Sequence, residues 1–185
     1  LKFYAQFADV VVLARELNME QVSHIHQEII RQDIRGPKGE LVRIEMFAHG
    51  ALCMAVSGKC YMSLHEYNRS ANRGACAQVC RMAFDLMADG KTVMKDKHLL
   101  SLKDNCQIDN LEALLLAGAS SLKIEGRLKD ADYVKNVTAA YSEALDKVIA
   151  KHPKEFCRAS SGKVHLKFKP DVRKSINRGF VKEVS

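Results

Sequence analysis

Asp9-Val-Val-Val-Leu-Ala-Arg15, read with the segment after it, decides the fold class. A short apolar run bounded by charge predicts a buried strand. From Asn18 the period changes. Asn18 and Gln21 form a capping-box pair, and Val22, Ile25, His26, Ile29 and Ile30 fall on one face, which predicts a helix. Gly36, Pro37 and Gly39 place a turn at residues 35–40, and a second strand is predicted from Leu41 to Phe47.

The same alternation continues downstream. His98 to Lys103 reads as a strand, and Asp109 to Ala117 as a helix capped by Asp109 and Glu112 and ended by Gly118. Ser121 to Glu125 reads as the next strand. A long helix follows, because Tyr133, Val134, Val137, Tyr141, Ala144, Leu145, Val148 and Ile149 repeat at helical spacing. Pro153 closes it, and a short strand is expected at Lys163 to Phe168.

Strands alternating with helices imply an α/β fold with parallel strands and crossover helices. Four main strands are too few to close an eight-stranded barrel, which leaves half a barrel or an open sheet. The chain opens on Leu1 with a strand under way by Val10, so it is expected to be a piece of a longer protein and the half-barrel is favoured. Residues 1–152 then form the barrel half, with a cysteine-rich loop at 50–82, and 153–185 form a basic C-terminal extension.

The 185 residues are 47% hydrophobic and 28% charged, enough for one core and too charged for a membrane protein. No apolar run approaches the roughly 18 residues of a bilayer span, and residues 1–10 lack the order of a signal peptide, so a cytoplasmic location is expected. The net charge of +7 is uneven: residues 1–150 hold 19 basic and 19 acidic side chains, residues 151–185 hold 10 and 3. Lys163, Lys167, Lys169, Arg173, Lys174 and Arg178 therefore suit a phosphate-bearing partner such as RNA, or else form a solubilising face.

Four of the six cysteines, Cys53, Cys60, Cys76 and Cys80, crowd into 28 residues. In a reducing compartment that clustering points to metal or redox chemistry rather than disulfides. Four thiolates suit zinc or an iron–sulfur cluster equally in donor type. The spacing C-x6-C-x15-C-x3-C lacks the two short knuckles of a zinc ribbon, which favours the cluster. Gly50, Gly58 and Gly74 precede cysteines, as a tightly turning loop requires. Four inert buried cysteines are the alternative. Cys106 and Cys157 stand apart, Cys106 being the substitute ligand should Cys80 not serve.

In parallel barrels chemistry gathers at the C-terminal ends of strands, where this sequence puts Arg15, Glu45, His49, Asp104, Lys123, Glu125 and Arg127. Glu45 and His49 flank the cysteine segment and are candidates for proton transfer or substrate placement, with a structural histidine the alternative. Period two puts Lys123, Glu125 and Arg127 on one face, suited to a carboxylate or phosphate, or to a buried ion pair.

Glu45-x-Phe47-x-x-Gly50-Ala51-Leu52-Cys53-x4-Gly58-x-Cys60-x-Met62-Ser63 resembles the signature of the U32 peptidase, or collagenase-like, family. Val12-Leu-Ala-Arg-Glu-Leu17, Asn72-Arg-Gly-Ala-Cys-Ala-Gln78 and Leu122-Lys-Ile-Glu-Gly-Arg127 extend the resemblance. With Lys97 to Asn105, Tyr133-Val-Lys-Asn136 and Arg158 to Gly162, they are similar to the branch that hydroxylates a cytidine in large-subunit ribosomal RNA. Val56 and Val79 depart from the family pattern, as does Cys106, where that branch commonly has an acid.

The resemblance implies the C-terminal half of a TIM-type barrel and a 4Fe-4S cluster on Cys53, Cys60, Cys76 and Cys80, with zinc as the alternative. It further implies oxygen-independent hydroxylation of cytidine or uridine in ribosomal or transfer RNA, with prephenate as a linked co-substrate. Glu45, His49, Glu125 and Arg127 are the catalytic candidates, and Arg15, Lys123, Asn72 and Arg73 the substrate-binding ones. A U32-type peptidase is the second reading, although no nucleophile elbow, zinc-protease helix or triad spacing appears. A non-catalytic accessory subunit is the third.

Overall fold

The computed structural model describes residues 1–162, 164–175 and 177–181. In chain order the elements are α1 (Lys2–Ala5), β1 (Val10–Val12), α2 (Met19–Arg31), β2 (Arg43–Gly50), α3 (Met62–Tyr67), β3 (Phe84–Ala88), β4 (Lys91–Lys97), β5 (Asp104–Cys106), α4 (Leu111–Leu116), β6 (Ala119–Ile124), α5 (Ala131–Lys151) and β7 (Phe180–Val181). They fall into two compact units, one of residues 1–51 with 104–185, the other of residues 52–103.

The first unit is a mixed α/β layer. β2 is its centre, paired in parallel with β1 and with β6, and joined near its C-terminal end by antiparallel β5. β7 then pairs in parallel with β5. Among the described residues the sheet does not close into a barrel.

The capping box forms as expected: Asn18 accepts from the Gln21 N–H and Gln21 from the Asn18 N–H, each at 2.9 Å. Helix α2 buries Val22 and Ile29, while Ile30 is exposed. On α5 the Asp130 carboxylate caps the Tyr133 N–H at 2.7 Å, and Tyr133, Val137, Ala140 and Tyr141 are buried. Val134, expected on the same stripe, is exposed. These residues pack against Ile44, Met46 and Ala48 of β2 and Leu111 and Leu114 of α4. Each fully buried aliphatic side chain contributes about 2 kcal/mol.

Three expectations are corrected. Residues 98–103 are not a strand; their polar groups serve Arg81, which donates to Ser101 Oγ and the Leu102 carbonyl. The strand lies just beyond, at Asp104–Cys106, where buried polar side chains obscured it. Residues Ile108–Asn110 form a 3-10 turn, so α4 begins at Leu111 rather than at Asp109. No strand forms at residues 164–168, and Lys163 lies outside the described residues.

The second unit carries an antiparallel hairpin, β3–β4, that hydrophobic periodicity does not predict. Its two-residue turn is Asp89-Gly90, with φ of 49° and 73°. Asp-Gly between two runs of strand residues was the available signal.

Candidate functional site

The cysteine unit is held by its backbone contacts. Asn72 Oδ1 accepts from the Cys60 N–H at 3.0 Å, and the buried Ser63 hydroxyl accepts from the Ala77 N–H at 3.0 Å. Gln78, at φ 57°, turns its N–H onto Cys76 Sγ at 3.3 Å. Arg81 ties the two ends of the unit, donating to the Leu52 carbonyl on one side and to Leu102 on the other. Asn72, a substrate-binding candidate, is thus engaged in shaping the loop, while Arg73 beside it is exposed.

All six cysteines are free thiols. Cys53 is exposed, and Cys60, Cys76 and Cys80 are half-buried. Burial pushes the Cys80 thiol up; Arg81 opposes this, and Cys53, Cys76 and Cys60 each add to it. All four thiols are therefore within electrostatic reach at Cys80. Among the described residues no three His, Cys, Asp or Glu side chains are drawn together at ligating geometry. The donor set is uniformly soft, which fits zinc or an iron–sulfur cluster in type. Cys106 is buried in the other unit, where it bears on Tyr141.

Within the first unit, one sheet face carries half-buried polar side chains around Phe47. Glu45, Phe47, Ser121 and Lys123 lie side by side because Glu45 pairs with Ser121 and Phe47 with Lys123 in register. The Ser121 hydroxyl donates to Glu45 Oε2 at 2.7 Å. The Arg15 guanidinium and the Lys123 ammonium stand 4.9 Å and 5.1 Å from the centroid of the Phe47 ring.

His49 does not share that face. Period two from Glu45 would put it there, but a β-bulge between Phe47 and His49 pairs His49 with Ile124 and rotates it to the helix-covered side. There it is 2% exposed and packs edge-on against Tyr141, with centroids 5.5 Å apart. Tyr141 gives its one hydroxyl proton to the Ala48 carbonyl at 2.7 Å and accepts from the Gln107 N–H at 3.1 Å. His49 Nδ1, 3.3 Å from the same oxygen, is therefore the donor of that contact. Burial pushes the imidazole down to about 4, with Asp104 opposing and Lys129 reinforcing. Of the two roles left open, the geometry is that of a satisfied structural histidine.

Asp104 is 1% exposed, with Arg178 Nη1 at 3.2 Å and Lys129 Nζ at 4.0 Å. Lys129 also stands 4.9 Å from the Tyr133 ring. Burial, then Asp104 and Glu125, push the Tyr133 hydroxyl up to about 12. No local signal marks Lys129 and Arg178 as partners of Asp104, because the three are distant in sequence. The strand carrying Lys123 ends at Ile124. Glu125 is half-buried and its carbonyl accepts from Tyr133. Arg127 sits exposed on the turn beyond, so the alternation stops short of it.

The basic segment is partly committed to structure. Arg178 holds Asp104, and Arg158 holds Asp146 at 2.8 Å. Lys167, Lys169, Arg173 and Lys174 are exposed. Among the described residues no helix is long and apolar enough to cross a membrane.

The family model for peptidase family U32 matches residues 1–183. The chain is 54% identical over 149 residues, 79% of its length and 36% of the relative's, to a protein named collagenase from Porphyromonas gingivalis. It is 48% identical over 170 residues, 91% of its length and 24% of the relative's, to the 23S rRNA 5-hydroxycytidine C2501 synthase of Escherichia coli. It is 34% identical over 145 residues, 75% of its length and 32% of the relative's, to tRNA hydroxylation protein P1 of Bacillus subtilis. The chain thus spans between about a quarter and two fifths of the curated relatives it matches. No solved structure matches it. With the cysteine segment, the strand that leads into it and the helices behind that strand all inside one continuous match, the chain belongs to peptidase family U32.

Proposed function

We propose that this chain is part of an RNA-hydroxylating enzyme, acting on cytidine or uridine in ribosomal or transfer RNA without molecular oxygen. The observation that carries the reading is the crowding of Cys53, Cys60, Cys76 and Cys80 into 28 residues of one compact unit, in a chain similar to proteins named for RNA hydroxylation. Cys53, Cys60, Cys76 and Cys80 would hold a 4Fe-4S cluster, zinc being the alternative. A cluster there supplies one-electron chemistry, which four thiols alone do not.

The parallel trio of β1, β2 and β6 with its covering helices is read as part of a (β/α) TIM-type barrel, in which strand ends meet substrate. Arg15, Lys123 and Arg73 belong to substrate binding, as does Asn72, whose side chain also shapes the cysteine loop. Glu45, Glu125 and Arg127 are the side chains assigned to the reaction, and the burial of His49 against Tyr141 favours a structural role for it. RNA is the macromolecular partner, through the exposed lysines of the C-terminal segment, and prephenate the linked small co-substrate, in the cytoplasm.

The relative named collagenase, at 54% identity, favours a peptidase as the second reading. Burial of His49 against Tyr141 weighs against a cysteine–histidine dyad using it. An accessory, non-catalytic subunit is the third.

Two measurements separate these. Mass spectrometry of digested RNA from a strain lacking the full-length protein is expected to show one hydroxylated pyrimidine missing. The anaerobically purified protein is expected to hold iron and acid-labile sulfide, lost from Cys53→Ala, Cys60→Ala, Cys76→Ala and Cys80→Ala and retained in Cys106→Ala. An unaltered nucleoside profile, with peptide cleavage that survives removal of the four cysteines, would establish the peptidase instead. Restoration of the nucleoside by a cysteine-free variant would leave the thiols structural.

A further inference from the structure

Arg15, in the turn after β1, and Lys123, on β6, converge on one ring, yet neither is paired with an acid among the described residues. Both cations lie within about 5 Å of the Phe47 centroid, and no ion pair of either is found among the described residues. Arg15 Nε is buried with no hydrogen-bond partner, and it is the one such side-chain atom among the described residues. A buried donor left unsatisfied costs stability, more so on a charged group. Two like charges held beside one aromatic surface add repulsion. On that face the Glu45 carboxylate accepts from the Ser121 hydroxyl, and it forms no ion pair with Arg15 or Lys123 among the described residues.

Cation–π contact explains why the two side chains lie along the ring, but it offers no acceptor for an N–H in the guanidinium plane. That N–H needs an oxygen. A guanidinium presents Nε–H and one Nη–H as a parallel pair that matches the two oxygens of a carboxylate or phosphate. The ammonium of Lys123 supplies a second charge without a fixed direction, and the Phe47 ring gives an apolar wall.

We propose that Arg15, Lys123 and Phe47 form a binding site for the oxyanion headgroup of a small molecule, a carboxylate or a phosphate. The buried Nε–H and the neighbouring Nη–H grip the headgroup side-on, Lys123 neutralises it, and the remainder of the ligand lies along Phe47. Glu45, on the same face, disfavours a long polyanion, so the occupant is small. This rests on the reading of Arg15 and Lys123 as substrate-binding side chains and deepens it by naming the headgroup they take; anion binding tests it separately from the RNA nucleoside profile, which tests the hydroxylation.

The test is calorimetric titration of the full-length protein, isolated with its own metal complement, with succinate and separately with inorganic phosphate. Saturable binding of at least one is expected, and the tighter of the two names the headgroup. Arg15→Lys keeps the charge but loses the side-on pair of donors, and should weaken binding at least about tenfold, the scale of one charge-assisted hydrogen bond. Lys123→Gln should weaken it by a similar factor while leaving Arg15 in place. Because the site strains the empty protein, Lys123→Gln should also leave the ligand-free melting temperature unchanged or raised. No saturable heat with either anion, equal affinity in both variants and the native protein, or a lower melting temperature in Lys123→Gln would overturn the proposal and leave the pair as a structural brace.

Discussion

The side-chain amide of Asn136 pairs with the backbone of Asp171 from both ends, donating to its carbonyl at 2.7 Å and accepting from its N–H at 2.9 Å. The same amide nitrogen lies 2.7 Å from Ser175 Oγ. One side chain on α5 thus takes the place of a strand partner for the C-terminal segment, whose Asp171 in turn caps the 3-10 turn at Val172–Lys174. Replacing Asn136 with Ala leaves a backbone donor and a backbone acceptor unpaired in a partly buried setting. The expected cost is about 1–3 kcal/mol. Hydrogen exchange should show the Asp171 and Arg173 amides losing protection while the amides of β2 keep theirs; uniform protection would mean the clip is dispensable.

His49 sets a pH dependence with a definite sign. Its folded value of about 4 lies below the ordinary 6.5, chiefly through burial. As pH falls below the unfolded value, the unfolded chain takes up a proton that the native imidazole refuses. Stability from this group is therefore full above about pH 6.5, declines between about 6.5 and 4, and is flat below. The loss is on the order of 3 kcal/mol at most. Urea unfolding from pH 4 to 8 should show this slope in the native protein, and the difference from His49→Gln should isolate it. Parallel curves for the two proteins would contradict the burial argument.

Arg81 is expected to govern the cysteine unit without touching a ligand. Its guanidinium reaches Leu52, Ser101 and Leu102, so it closes the segment on which all four thiols lie. Arg81→Lys keeps the charge but cannot serve three acceptors in the fork geometry. In metal-free protein, thiol titration with an aromatic disulfide should run severalfold faster in the variant, with Cys106 remaining unreactive. Equal rates would show that the segment holds itself.

Gly50 ends β2 at φ 106°, and a Cβ there would fall against the Glu125 carbonyl. Gly50→Ala combines an unfavourable backbone conformation with a backbone clash, and should destabilise by about 2–4 kcal/mol. Gly90→Ala, also at positive φ but in open space, should cost only about 1 kcal/mol. Chemical denaturation of both variants measures the contrast; similar losses would mean that the close approach at Gly50 relaxes.

The exposed lysines of the C-terminal segment should reveal themselves through salt. If Lys167, Lys169 and Lys174 neutralise RNA phosphates, changing them together to Ala should lower the slope of log affinity against log salt. The decrease should be about 0.7 for each phosphate left without its lysine on a single strand, or about 0.9 on a duplex. Arg178→Ala should instead act on stability, because it leaves Asp104 buried with one cation fewer. An unchanged slope in the triple variant would make those lysines a solvated surface.

Sequence alone determined the strands and helices whose signal is local and periodic: β1, the capped α2, β2, β6 and α5, together with the clustering of four thiols and the family signature around them. Each rests on spacing within one segment, which a chain carries wherever it folds. Tertiary structure decided the rest. β5 is a strand made of Asp104, Asn105 and Cys106, whose polar groups are tolerable only because Arg178, the Phe47 carbonyl and Gln107 meet them. The bulge after Phe47 moved His49 to the opposite side from Glu45, which no count of residues could foresee because one unpaired residue inverts the alternation. Arg15 and Lys123, 108 positions apart, became neighbours only through the shared ring of Phe47. Local periodicity writes elements into a sequence, whereas the pairing of buried charges and the facing of side chains depend on register between strands, and register is settled only when the sheet assembles.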